Sequence, residues 1–193
     1  MIGIKRNWSI LGGKLGAFRR EVSGAIAIEF AFVFPVLIVI YLGMVELGNA
    51  IAADRKVTLL SSTVGDIVAQ YSEVTQNDMD RIFEAAQEVL RPYEVATDKL
   101  LIEVYSITTN ETNDQVQSWP GRVTNGGSCG VENDSAPAVP ADLLVNSASV
   151  IVARVCYKYE SVLNYLFKTD PQFDEVFYIR PRYVDAVEWK VGA

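Results

Sequence analysis

Residues 24–53 read GAIAIEFAFVFPVLIVIYLGMVELGNAIAA, and Glu29 and Glu46 are the only charges among them. From residue 30 to residue 45 the run is uncharged, mostly bulky and apolar. A helix over residues 25–53 extends about 43 Å at 1.5 Å per residue, enough to cross a hydrocarbon core of about 30 Å with either glutamate near an interface. The segment reads as a membrane helix. Lys5, Arg6, Lys14, Arg19 and Arg20 precede it, and basic residues on one flank place that flank in the cytoplasm. The expected organisation is a basic cytoplasmic leader (1–24), a transmembrane helix (25–53) and a periplasmic α+β domain (54–193) on a bacterial inner membrane.

The net charge of −7 over 193 residues hides an asymmetry: residues 1–24 sum to +4 and residues 54–193 to −9. An outer domain of that sign repels phosphate backbones, which argues against nucleic acid as a partner. The chain has no histidine, so the usual general base near neutral pH and the commonest transition-metal ligand are both missing. A hydrolase would need a Ser–Lys or carboxylate pair, and no spacing identifies one. We expect no enzyme, no cofactor and no metal. Asp78, Asp80, Glu84 and Glu88 read as the solvated face of a helix, and Glu132-Asn133-Asp134 lacks the pattern of an EF-hand loop.

Beyond the span the helical period continues through Val57, Leu60, Val64, Ile67, Val68 and Tyr71, so one helix is predicted over residues 25–72. Thr75 and Asp78 form a capping pair before a second helix with Met79, Ile82, Phe83, Ala86, Val89 and Leu90 on one face, ending at Pro92. Strands are predicted at 101–108, 116–119, 150–159 and 177–189, with a short helix over 161–167 and a Gly/Pro-rich loop over 124–141. Strands clustered after helices imply an antiparallel sheet packed on the second helix and the outer half of the first: an α+β fold. Cys129 and Cys156 both fall in the exported part, where an oxidising compartment allows a disulfide. Two buried free thiols are the alternative.

The most specific signal is Gly24-Ala25-Ile26-Ala27-Ile28-Glu29-Phe30 after Arg19-Arg20. A peptidase at the inner face of the membrane needs small residues at the scissile bond, and Gly24-Ala25 supplies them. Glu29 costs about 2.5–3.5 kcal/mol if left unpaired at the bilayer centre. Cleavage creates a partner for it, because the new α-amino group of Ala25, with an ordinary pKa of about 7.7–8.0, can pair with Glu29 of a neighbouring subunit. The bland alternative is a Glu29 that snorkels to the cytoplasmic interface. Glu46 reads as an outer-interface residue. Pro35 removes its own N–H and frees the carbonyl of Ala31, so a kink is expected, serving either helix packing and extraction or nothing beyond local accommodation.

Taken with Pro35 and Gly43-Met44-Val45-Glu46-Leu47-Gly48, this segment resembles the prepilin pattern, and in particular the TadE-like pseudopilins of tight-adherence pilus systems, most strongly over residues 19–49. Arg180-Pro181-Arg182-Tyr183 is similar to a later element of such proteins. The resemblance implies a minor pseudopilin matured after Gly24 by an aspartic prepilin peptidase. Its partners would be that peptidase, other pilins and pseudopilins, the inner-membrane pilus platform with its secretion ATPase, and membrane lipid. Gly24 and Ala25 would carry processing, and Glu29, Phe30 and Pro35 assembly. Two rivals stand beside this reading. One is a secreted protein cut by a signal peptidase at Ala50-Ile51-Ala52; the other is a membrane-anchored hydrolase or ligand-binding protein acting by itself, with the 124–141 loop as a contact surface.

Overall fold

The long apolar run and the periodic stripe after it form one continuous helix, α1, from Val22 to Val68, with Pro35 inside it. A computed structural model describes residues 22–110, 114–130, 136–144, 148–161 and 171–191. The basic leader, Glu132-Asn133-Asp134 and nearly all of the helix expected over 161–167 lie outside the described residues. The chain divides into two units, Met1–Val45 and Glu46–Ala193.

Within the second unit, Ala53, Val57, Leu60, Val64 and Val68 of α1 are fully buried, repeating every three or four residues as a one-sided helix requires. Each such side chain contributes about 1.5–3 kcal/mol for the larger residues. α1 stops four residues short of the expected end. The Ala69 carbonyl, which the next turn would need, accepts the Arg182 N–H at 2.8 Å, and the chain turns away to leave Tyr71 39% exposed.

A short strand, β1 (Glu73–Thr75), leads directly into α2 (Gln76–Gln87), which tightens into a 3₁₀ turn at Glu88–Leu90. The predicted capping pair is a full capping box: Thr75 Oγ1 accepts the Asp78 N–H, and Asp78 accepts the Thr75 N–H at 3.1 Å. Thr75 Oγ1 also donates to the Asp78 carboxylate at 2.6 Å, and this bond first and the Thr75 N–H second hold the Asp78 carboxyl below the usual range. Met79, Ile82, Phe83, Ala86 and Leu90 are buried as expected, and Val89 is half-buried.

The main sheet is antiparallel, in the order β3-β2-β5-β6, with β2 at Leu100–Thr109, β3 at Gln115–Gln117, β5 at Val150–Lys158 and β6 at Gln172–Ile179. A two-residue strand, β4 (Val123–Thr124), pairs with Glu103 and Val104 where a loop was expected to begin. The strand expected over 177–189 is two strands. β6 ends before Pro181, which has no N–H to donate to a ladder, and β7 (Glu188–Lys190) joins β1 in a separate parallel pair.

Both faces of the sheet are covered, which explains why β2 and β5 read as nearly unbroken apolar runs. Ile102, Val104, Ile151, Ala153 and Val155 meet the helices in the main core. On the other face Tyr105, Ile107, Val150 and Val152 gather with Val139 of the connecting segment. Cys129 and Cys156 form the disulfide, with Cα atoms 6.0 Å apart, in a small buried cluster with Leu101. Two close approaches require glycine. A Cβ on Gly65 would lie 2.9 Å from the Phe177 ring, and one on Gly127 would lie 1.9 Å from the Leu100 carbonyl oxygen.

Candidate functional site

The inner part of α1 is a surface without a covering. Phe30, Phe32, Phe34, Leu37, Ile38 and Tyr41 are each at least 40% exposed, and among the described residues nothing lies within 4 Å of a Cβ built on Gly24. Such an apolar surface is stable where its surroundings are lipid or other helices. The helix is long and apolar enough to cross a membrane. Gly24, Ala25, Glu29, Phe30 and Pro35 all lie on this stretch, as the sequence predicts. Ala25 and Glu29 are one turn apart and share a face. Glu29 makes no ion pair or hydrogen bond with any described residue. Phe30 and Phe34 stack at 5.3 Å, filling adjacent turns.

Glu46 differs from Glu29. Its Oε1 accepts a hydrogen bond from the Tyr159 hydroxyl at 3.0 Å, and one turn later the Asn49 carbonyl accepts one from Tyr93 at 3.0 Å. The two tyrosine rings meet edge to face at 5.9 Å. Lys56 donates to the carbonyls of Val89 and Arg91. The start of the second unit's helix is thus fastened to the loops after α2 and after β5. Burial, with the Glu46 hydrogen bond adding to it, pushes the Tyr159 hydroxyl up to about 12. Beside these ties Lys99 joins Glu160 at 2.6 Å and Glu94 at 2.7 Å, and both carboxylates hold its ammonium well above the usual lysine range.

The Arg180-Pro181-Arg182-Tyr183 element acts as a strap. Arg180 donates twice to the Leu143 carbonyl, at 3.2 and 2.9 Å, while Arg182 caps α1 at Ala69 and pairs with Asp66. A cation beside the last turn of a helix is stabilised by the helix dipole. Tyr183 is 77% exposed and takes no part.

Sequence reasoning missed a buried ionic cluster on the sheet face that carries Tyr105. Glu103 is fully buried, with Arg122 at 2.7 Å, Arg154 at 3.7 Å and the Tyr105 hydroxyl at 3.2 Å, and Arg154 grips Asp174 through two nitrogens at 2.9 and 2.6 Å. Burial first and Glu103 second push the Tyr105 hydroxyl up to about 12. The available signal was one charge in the middle of each of two apolar strands, which the register sets opposite one another.

For the hydrolase rival, the hydroxyls nearest a carboxylate in an open depression are those of Ser62 and Thr63, beside Asp66 and Phe177. Both donate to the Leu59 carbonyl instead, and Asp66 is engaged by Arg182 and Gln70. Among the described residues no group of three or more metal-binding side chains converges.

No curated protein and no solved structure matches the chain. The TadE-like protein family is the one whose model the chain matches, over residues 24–64, from the small pair at the start of the exposed helix to the buried Val64.

Proposed function

We propose that the chain is a minor pseudopilin of a tight-adherence pilus, cut after Gly24 by a prepilin peptidase and acting in pilus assembly or its initiation. The observation that carries this reading is Glu29: a carboxylate without a partner among the described residues, on an exposed apolar helix, five residues beyond Gly24 of a Gly-Ala pair and inside the segment that matches the TadE-like family. The coarser statement, association with a tight-adherence pilus system, rests on that match alone. In the finer reading the helix crosses the inner membrane with its start in the cytoplasm and its folded domain in the periplasm. The protein works through contacts with the peptidase, other pilins and pseudopilins and the membrane platform rather than by catalysis.

Against the secreted rival, α1 runs unbroken through Ala50-Ile51-Ala52, and Ala53 is fully buried in the domain core. A cut there would open the first turn of the helix on which that core is built.

The test separates processing from assembly. In Glu29→Gln, cleavage after Gly24 continues because the scissile bond is unchanged, while piliation falls because the Ala25 amine has lost its counter-charge. In Gly24→Leu, cleavage stops and the basic leader stays attached. Mass measurement of the mature N-terminus reads the first outcome and fibre yield the second. Wild-type piliation by Glu29→Gln would overturn the pairing mechanism, and a mature chain beginning near Ala53 would overturn the pseudopilin reading.

A further inference from the structure

The second unit begins at Glu46, directly after the apolar run that ends at Val45 in the sequence. About 20 helical residues cross the hydrocarbon core, and counted back from Val45 they reach Ile26, immediately after the Gly24-Ala25 bond. Glu46 then stands at the outer hydrocarbon boundary. The first two side-chain ties of the domain fall at Glu46 and Asn49, about 5 Å apart along the axis at 1.5 Å per residue. The headgroup layer on each side of a bilayer is about 5–8 Å deep. Both tyrosines that make these ties therefore present their hydroxyl ends within that layer, where amphipathic rings are favoured.

We propose that the end of the domain formed by residues 91–95 and 159–160 is a lipid-contact surface, seated among the outer-leaflet phospholipid headgroups of the membrane that α1 crosses. The Glu46–Tyr159 and Asn49–Tyr93 hydrogen bonds set its depth. The chemistry suits a zwitterionic layer. Arg91 is 76% exposed on its side chain, Glu94 73% and Glu160 55%, and Lys99 holds the two acids together, so this end offers both signs of charge around an aromatic pair. The membrane becomes a second binding partner of the folded domain. This inference rests on α1 being a membrane helix, and its test distinguishes the two.

The full chain is placed in phosphatidylethanolamine vesicles with a photo-crosslinking side chain at Phe34, Arg91, Glu94 or Tyr183, and adducts are read by mass. Phe34 reports the span. Tyr183 is the control, because its neighbour Arg182 is tied to Ala69, about 35 Å along α1 from Glu46. We expect phospholipid adducts at Phe34, Arg91 and Glu94 and background at Tyr183. Adducts at Phe34 with background at Arg91 and Glu94 would overturn the lipid-contact surface and leave the span standing. Equal adducts at Tyr183 would overturn it as well, by showing adhesion without a preferred face. Background at Phe34 would remove the membrane reading itself.

Discussion

One helix obeys two rules along its length. Among the described residues before 46 the apolar side chains of α1 are exposed or at most half-buried; after 46 one stripe, Ala53, Val57, Leu60, Val64 and Val68, recurs every three or four residues and is covered by the sheet and α2. Its two glutamates divide in the same way. Glu29 has no partner among the described residues, whereas Glu46 accepts a hydrogen bond from Tyr159. The inner part is unfinished without an external environment, and the outer part is complete within its own fold.

The sharpest way to break this comparison is to delete the same volume on each side. Leu60→Ala should destabilise the domain by about 2–5 kcal/mol, because it leaves a cavity in the main core. Leu37→Ala should change domain stability by no more than about 0.5 kcal/mol. Urea unfolding of the full chain in micelles, followed by near-ultraviolet dichroism, measures both; equal losses would show that the two parts are not independent.

Next in size is the disulfide. Cys129→Ser with Cys156→Ser should cost about 3 kcal/mol through the longer loop freed in the unfolded chain. Helix content from the inner part of α1 should persist through that transition. Thr75→Ala should cost about 1 kcal/mol by opening the capping box of α2, detectable as a shift in urea midpoint with an unchanged slope.

The smallest effect is a pH dependence. Tyr105 and Tyr159 ionise near 12 in the folded chain instead of at 10.0, so above pH 10 the unfolded chain releases protons that the folded chain retains. Their stabilising contribution is complete below about pH 10 and declines as pH rises toward 12. Tyr159→Phe should flatten that decline in alkaline urea titrations; an unchanged slope would mean that the Tyr159 hydroxyl is not held buried against Glu46 in solution.

What the sequence made legible was local. The apolar run, the Thr75–Asp78 box and the spacing of Met79, Ile82, Phe83 and Ala86 each declare themselves within one or two helical turns. The Gly24-Ala25 pair and Glu29 stand out in the sequence because charge and small size are conspicuous in an apolar helix. The missed features depend on register between distant segments. β4 is two residues long and exists because Val123 and Thr124 fall opposite Val104 and Glu103. β1 and β7 hold each other across more than a hundred residues. Glu103 looked like an ordinary strand residue, and only the β2–β5 pairing sets Arg154 beside it.

The β1–β7 pair and the Arg182 cap also impose an order on events. The helix that anchors the chain is made first, yet its buried stripe rests against β5, and its last carbonyl waits for Arg182. Contacts between such distant segments form late because loop closure precedes any gain from them. The stripe from Ala53 to Val68 is therefore left bare until residues 150–158 have been made. The second unit closes on its own helix only after nearly all of it has been synthesised, so its core is completed from the C-terminal end.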